Sequence, residues 1–446
     1  MGERYRRPPQ LAEPRRPGSR PLAGSKGDIS GMTTTATSGY WTVLRTPRVP
    51  SLLAAGALGR LPGGILPFAL VVAFARQDGF AVAGAAAAVF MLATALTGPR
   101  RGRLVDRRGT AALATLAVVQ AGCAVATVAL IWAQWTIPAL VAVAACSATA
   151  PPVSAALRAR WSSAVTSKDQ LRQVHSVDSI VEEMTFIVAP LVATAAMTLA
   201  SPAVTVMAGA LIYFAAVAIL VAIPTAPSHP VPATNQPPPE PDTPERTDRR
   251  SLIRLAVGQG IIVPIAGLGI FAGGISVILP AIAAATGDIT SAGYLFAVFS
   301  VGGAVGGLIH GKIHTELPLR TRYFLIAAYL AAATIAVALT ATTPAAYGTV
   351  ALAGAAVTPL FVVAYLLVDE HLSTKRQVEA NAWIGSGYNL GSGLGSAACG
   401  LALAHTSAGL VVAGLFLITA AGASFTWRLP QRTATPEKTT APAASA

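Results

Sequence analysis

Four ionisable residues of this 446-residue chain lie within or beside long apolar stretches, where a charge is costly. Arg60 occupies the stretch that begins near Ser51, at a depth of roughly 13 Å for a helical rise of about 1.5 Å per residue. An arginine at the centre of a bilayer-spanning helix costs about 2.5–3.5 kcal/mol on insertion scales. We therefore expect Arg60 to face the protein interior or a cavity and to have an acidic partner. The alternative is that its long side chain snorkels to the membrane interface.

The acidic residues Asp178, Glu182 and Glu183 open another apolar stretch, which predicts a helix from about residue 177 to 199. Asp178 and Glu182 share one helix face, whereas Glu183 points about 100° away. We expect Asp178 in the first turn, where a carboxylate stabilises the positive helix end. At least one of Glu182 and Glu183 is expected to be buried or to face a cavity, where it could carry a proton, since burial and a neighbouring arginine shift a carboxylate pKa in opposite directions.

Polar residues also occur in the apolar stretch 380–403. Tyr388 and Asn389 could reach a central cavity, although a lone polar residue in a helix bundle more often bonds to a neighbouring helix. Glu379 and Asn381 lie at the start of this stretch, and Glu379 is interpreted as a helix-start charge. A face of small residues predicts close helix packing; it consists of Gly385, Gly387, Gly391, Gly393 and Gly395.

The overall composition indicates a membrane protein. Hydrophobic residues make up 53% of the chain and charged residues only 11%, against about 25% charged in soluble domains. The net charge of +13 comes from Lys and Arg in tails and short loops, where it indicates orientation and not nucleic-acid binding. The three cysteines lie in apolar stretches, so no disulfide, metal site or cofactor is expected.

Twelve apolar stretches predict an all-α polytopic membrane protein with two pseudo-symmetric six-helix bundles, at residues 49–223 and 251–428. A disordered basic tail at 1–48, a Pro-rich linker at 224–250 and a tail at 429–446 complete the chain. Basic residues concentrate in alternate loops, which predicts a plasma-membrane protein with both termini in the cytoplasm. Short motifs such as Gly98-x-x-x-Gly102 and Gly303-x-x-x-Gly307 recur roughly 200 residues apart, as a duplicated bundle requires.

One basic loop carries a recognisable motif between the second and third stretches. Its matching positions are Gly102, Leu104, Val105, Asp106, Arg107 and Gly109. With the helix count and the linker, this loop resembles the signature loop of the major facilitator superfamily. The stretches 151–158, 178–183 and 379–383 further resemble actinobacterial proteins that are known only as permeases or efflux proteins.

The resemblance implies a conformational latch and a central cavity between the bundles. Asp106 would face the start of the eleventh helix near Glu379 and Asn381, while Gly102 allows close approach and Arg107 holds Asp106. Helices 1 and 5 would be neighbours, which places Arg60 beside the helix-5 acids. The antiporter pattern of the superfamily is only partly present, since Pro190 occurs without the accompanying glycines.

These features predict that the protein is a secondary active transporter and not an enzyme. Proton-coupled efflux of a drug or metabolite is the leading hypothesis, because the predicted cavity helices carry few charges. Uptake of a small nutrient and a non-transporting receptor of the same fold are the alternatives. We expect a monomer that contacts the lipid bilayer, a small-molecule substrate and protons.

Overall fold

The computed structural model describes residues 43–165, 167–224, 256–313, 315–372 and 374–429; for residues 159, 162, 163, 168, 169, 374–379, 381 and 382 it describes the backbone alone. Within these ranges the chain is helical and contains no strand. Almost all of the predicted tails and linker (1–48, 224–250 and 429–446) lies outside the described residues.

The N-terminal half consists of long apolar helices that reverse direction at short turns. They are α1 (Val49–Asp78), α2 (Phe80–Trp132), α3 (Thr136–Ala148), α4 (Val153–Ala164), α5 (Lys168–Leu199) and α6 (Pro202–Ala222). α2 bends back at Gly109, whose φ of 59° lies in the region that favours glycine. α3 and α4 form one crossing, interrupted by Pro151 and Pro152.

The C-terminal half repeats this plan, including the broken crossing. Its helices are α7 (Ala256–Thr286), α8 (Ala292–Lys312), α9 (Leu319–Thr340), α10 (Ala346–Gly354), α11 (Val357–His371), α12 (Thr374–Leu403) and α13 (Ala408–Ser424). α10 and α11 correspond to α3 and α4. Pro359 lies just after the break between α10 and α11, and Pro152 lies at the end of the break between α3 and α4. The duplication expected from the sequence is therefore visible in the helices.

Ten segments of the described residues are long and apolar enough to cross a membrane. One of them is α2, whose 53 residues contain the bend at Gly109 and provide two crossings. The 30-residue α12 is not one of the ten segments, but it lies in the chain between the last two of them. The arrangement is compatible with the twelve crossings predicted from the sequence.

The start of α5 differs from the sequence prediction. The helix begins at Lys168 and not near residue 177. Its N-cap is Ser167, whose hydroxyl accepts a hydrogen bond from the Gln170 amide at 3.1 Å. Hydropathy marks where a chain enters an apolar environment and not where a helix begins, so the polar first turns were assigned to a loop. Asp178 consequently lies inside the helix.

The helix connections define two ends of the molecule. The turn end carries the connections near Asp78, Trp135, Ser201, Asp288 and His405, whereas the basic end carries the bend of α2 at Gly109 and the connections from α4 to α5 and from α8 to α9. Residues 98–108, which the sequence predicts to be a loop, are helical, and only Gly109 departs from helical geometry. Bundle packing is close where small residues meet. Along α7 and α12, Gly273 and Gly395 bring the two backbones together, because a Cβ there would overlap a carbonyl of the other helix.

Candidate functional site

A buried ion pair joins α1 to α5. Arg60 Nη1 donates to Asp178 Oδ1 at 2.8 Å and Nη2 donates to Oδ2 at 2.9 Å, a bidentate arrangement. The two side chains are only 6% and 5% exposed. Gly56 leaves room for the pair, since a Cβ there would lie 3.2 Å from Arg60 Nη1. Arg60 is thus buried with an acidic partner, and its closest partner is Asp178, which the sequence prediction had placed in a first helix turn.

Glu182 lies one turn further along α5 and extends this network to α4. Its Oε2 is 3.7 Å from Nη2 of Arg60 and 3.7 Å from Nη2 of Arg158 on α4. Glu182 is 33% exposed and Arg158 is 59% exposed, so this part of the network is in contact with solvent. Arg158 was not predicted as a site residue, because hydropathy carries no signal for a contact between Arg158 and Glu182.

Glu183 occupies the wall of a cavity between the two bundles. Glu182 and Phe186 join it from α5, and the other walls come from α8, α10, α11 and α12. Within the part of the chain that the structure describes, no basic side chain forms an ion pair with Glu183. The cavity has a volume of about 600 Å³, which is within the usual range for small-molecule sites.

Aromatic rings form much of the remaining cavity wall. Phe361 on α11 packs edge-to-face on Tyr388 of α12 at a centroid distance of 5.1 Å, and it stacks on Tyr365 at a centroid distance of 6.4 Å. Phe186 and Phe299 also line the cavity. Tyr388 is therefore at the cavity, whereas Asn389 is half-buried and outside this lining. The rings on α11 were missed from the sequence because nothing distinguishes a cavity ring from a core ring in an apolar stretch.

A second cavity, of about 330 Å³, lies between α7, α12 and α13. Its lining is mainly aliphatic, with Cys399 and Thr406 as its polar members. It holds no acidic or basic side chain, so the cavity beside Glu183 is the better candidate for a functional site.

Contacts between the bundles gather near the turn end. Arg76 Nη2 donates to Asp288 Oδ1 at 3.1 Å, and the Thr194 hydroxyl donates to the Thr290 carbonyl at 3.0 Å. Phe68 of α1 meets the ring of Phe296 of α8 at 5.0 Å. These contacts join the bundles on the turn-end side of the cavity.

The turn-end ion pair keeps its charge near neutral pH. Hydrogen bonds from the hydroxyl and the amide of Thr290 lower the pKa of Asp288, and Arg76 lowers it further. A lowered carboxyl pKa means that the contact persists above the ordinary value and is lost only as the pH falls through the lowered pKa. Both side chains are about half exposed, so the pair contributes little to stability.

The predicted latch residues lie apart from any partner that the structure describes. Asp106 and Arg107 are exposed at the basic end. A Cβ at Gly102 would meet no heavy atom within 4 Å, so the close approach expected there is absent from this conformation. The side chains of Glu379 and Asn381 lie outside the described residues.

Arg101 lies in the basic segment of α2 and is buried, although nothing in the sequence distinguished it from the neighbouring arginines. Its guanidinium donates to the carbonyl of Ala150 and, at 3.1 Å, to that of Thr94. Ala150 lies at the break between α3 and α4, where the helix leaves a carbonyl without its usual amide donor. Arg101 therefore ties α2 to this break.

Long apolar helices in two similar halves, with carboxylates in a cavity between them, define a polytopic membrane transport protein. The family model of the Major Facilitator Superfamily matches residues 52–396 and 265–445, and the chain belongs to this superfamily. The resemblance to the superfamily and the all-α polytopic fold class inferred from the sequence are thereby confirmed. The protein is a membrane transporter and not an enzyme.

Solved transporters share this fold at low sequence identity. A mutant of the nucleoside transporter NupG superposes with a TM-score of 0.67 at 14% identity, covering 85% of this chain and 98% of that one. A bacterial homologue of the human lysosomal transporter Spinster gives 0.65 at 13%, covering 85% and 95%. A bacterial homologue of the iron transporter ferroportin gives 0.64 at 14%, covering 85% and 98%. No curated protein sequence matches the chain significantly.

Proposed function

We propose that the protein exports a small organic molecule across the plasma membrane by alternating access, coupled to proton entry. The observation that carries this proposal is Glu183, a carboxylate on the cavity wall without a basic partner among the described residues. Ionisable groups inside the membrane are expensive and are retained mainly for function. The other charges of the network have structural partners, so Glu183 is the group left to bind a proton or a substrate.

The conformation agrees with an inward-facing transporter. The positive-inside rule assigns the basic end to the cytoplasm, and the bundles meet at the opposite end through Arg76–Asp288 and Phe68–Phe296. The cavity would then be accessible from the cytoplasm. The Spinster and ferroportin homologues that share the fold were both solved in inward-facing states.

Glu183 has surroundings that suit a proton carrier. Glu182 is its acidic neighbour on α5, and Arg60 and Arg158 reach Glu182 from α1 and α4. Tyr365 and Tyr388 face the same cavity from α11 and α12. Proton binding at Glu183 would cancel the uncompensated charge of the cavity, and this would lower the cost of closing the apolar walls around it.

Export is favoured over uptake by the chemistry of the walls. The only charged members of the lining are Glu182 and Glu183, and most other members are aromatic, aliphatic or glycine residues. A nutrient acid or phosphate would need basic groups, and a sugar would need many hydrogen-bonding groups. An amphipathic or apolar molecule that reaches the cavity from the cytoplasm suits these walls better.

The test compares cells that make the wild-type protein with cells that make Glu183→Gln. We expect the wild-type cells to retain less of at least one metabolite and to release more of it, and a protonophore should abolish this difference. Glu316→Gln is the matched control, because Glu316 is exposed and remote from the cavity. Accumulation of the metabolite inside wild-type cells would indicate uptake, and equal content in both strains would refute the role of Glu183.

A further inference from the structure

Among the residues that the structure describes, the charges around the cavity leave one negative charge uncompensated. Arg60 and Asp178 neutralise each other in a buried bidentate pair. Glu182 lies 3.7 Å from Arg158, which supplies a second positive charge. Glu183 is the remaining member of the group, and its carboxylate borders the same space as Glu182. The cavity therefore favours a cation over an anion, because an uncompensated charge at low dielectric attracts its opposite strongly.

The rings of the cavity favour the same kind of ligand. Phe186, Phe299, Phe361, Tyr365 and Tyr388 all line the space that Glu183 borders. An aromatic face attracts a cation that lies within about 6 Å of the ring centroid, and more strongly when the cation is desolvated. The same rings also bury the apolar parts of a ligand. A carboxylate surrounded by aromatic rings is thus complementary to a cation that carries bulky apolar groups.

Small inorganic cations fit this cavity poorly. Hard ions such as Mg²⁺ and Ca²⁺ require six or more oxygen ligands, whereas the lining offers the carboxylates, two phenols, Ser300 and Thr358 over about 600 Å³. No cluster of three or more metal-ligating His, Cys, Asp or Glu side chains occurs among the described residues. The volume and the walls match a molecule of drug size.

We propose that the substrate is a monovalent organic cation with aromatic or bulky aliphatic groups, bound with its charge against Glu183 and its apolar groups against the Phe361–Tyr388 pair. This proposal rests on the proposed transport function and names its substrate class. One proton on Glu183 and one substrate cation would then compete for the same carboxylate, which accounts for an exchange of the two.

The experiment uses two probes of matched shape and opposite charge. Tetraphenylphosphonium and tetraphenylborate are titrated separately into the purified, detergent-solubilised full-length protein, and heats of binding are measured by calorimetry. We expect saturable binding of the phosphonium and at least about tenfold weaker binding of the borate, because a buried like charge is repelled.

Single substitutions test where in the protein the phosphonium binds. Glu183→Gln should weaken phosphonium binding at least about tenfold, and Phe361→Leu should weaken it about two- to fivefold. Glu316→Gln removes the same charge at an exposed position outside the cavity and should leave the affinity unchanged. Circular dichroism and elution volume confirm that each variant is folded.

The outcomes separate the substrate class from the transport function. Borate binding as tight as phosphonium binding, or an unchanged affinity in Glu183→Gln, would overturn the cation proposal while leaving export of another molecule intact. Phosphonium binding that depends on Glu183, without movement of the probe into proteoliposomes under an imposed pH gradient, would support the cation site and contradict proton-coupled export.

Discussion

The buried pair between Arg60 and Asp178 fixes the rotation of α5 against α1. A bidentate pair has a single good geometry, and Gly64 allows α1 and α5 to approach closely, since a Cβ there would lie 2.8 Å from Ala189 Cβ on α5. With Asp178 committed to Arg60, Glu182 is held at the edge of the network and Glu183 faces the cavity. The pair therefore positions the carboxylate that we assign to transport.

Breaking this pair should destabilise the protein. Asp178→Asn leaves a buried guanidinium without its full charge partner, and we expect a loss of about 3–5 kcal/mol in the free energy of unfolding. The measurement is the apparent melting temperature of the detergent-solubilised protein. The double substitution Arg60→Met with Asp178→Leu should recover part of the loss, because neither charge is then buried alone.

Arg158→Gln supplies the control for that experiment. Arg158 is 59% exposed and its contact with Glu182 is long, so its loss should change stability by less than about 1 kcal/mol. An Asp178→Asn variant as stable as Arg158→Gln would contradict the structural role of the buried pair.

Among the helices, α2 and α12 form the seam that closes the turn end. Gly84 and Gly400 face each other across it, and a Cβ on Gly84 would lie 2.7 Å from the Gly400 Cα. Further along the seam, a Cβ on Gly393 would lie 2.9 Å from Leu92 Cγ. The two bundles meet backbone to backbone, so closure depends on the absence of side chains at these points.

Gly84→Val should hold the turn end open. The added methyl groups cannot be accommodated between the helices, and the conformational equilibrium should shift away from the described state. Spin labels at Trp135→Cys and His405→Cys, in a background without Cys123, Cys146 and Cys399, would report the change as longer interlabel distances.

The matched control for this seam lies on the same element. A Cβ on Gly122 meets no heavy atom within 4 Å, so Gly122→Val should leave the distance distribution unchanged. If Gly84→Val gave the same distances as Gly122→Val, the seam would not govern closure.

In the whole molecule, the two ends must close alternately. Contacts that close the turn end must therefore be matched by contacts that close the basic end in the other conformation. The turn end is joined by Arg76–Asp288 and the α2–α12 seam, while Asp106 at the basic end is exposed. A latch between Asp106 and the start of α12 would form only when the basic end closes, as a carboxylate at a positive helix end is stabilised by about 0.3–1 kcal/mol. The exposed Asp106 of this conformation agrees with that proposal.

Asp106→Asn should therefore favour the conformation described here. We expect a two- to fivefold larger population of short turn-end distances between the labels at positions 135 and 405, equivalent to about 0.5–1 kcal/mol, together with slower export. Glu316→Gln should change neither quantity. A shift towards longer turn-end distances would contradict the latch assignment.

Much of the architecture follows from the sequence, because hydropathy, loop charge and short motifs are properties that add up along the chain. The apolar stretches, the two halves and the loop at 98–109 identified the superfamily before any contact was known. The same reasoning required Arg60 to be buried beside an acid on the fifth helix. Orientation in the membrane and the Asp106 latch remain predictions from the sequence.

Tertiary structure alone decided which acid performs which role. The true start of α5 at Lys168 and the close packing at Gly64 accompany a helix phase in which Asp178 forms the bidentate pair with Arg60, while Glu182 makes only a longer contact of 3.7 Å. Glu183 then remains without a basic partner, beside rings contributed from the other bundle. A sequence specifies the order of residues on one helix, but the rotation of two helices against each other depends on packing between residues more than 100 positions apart.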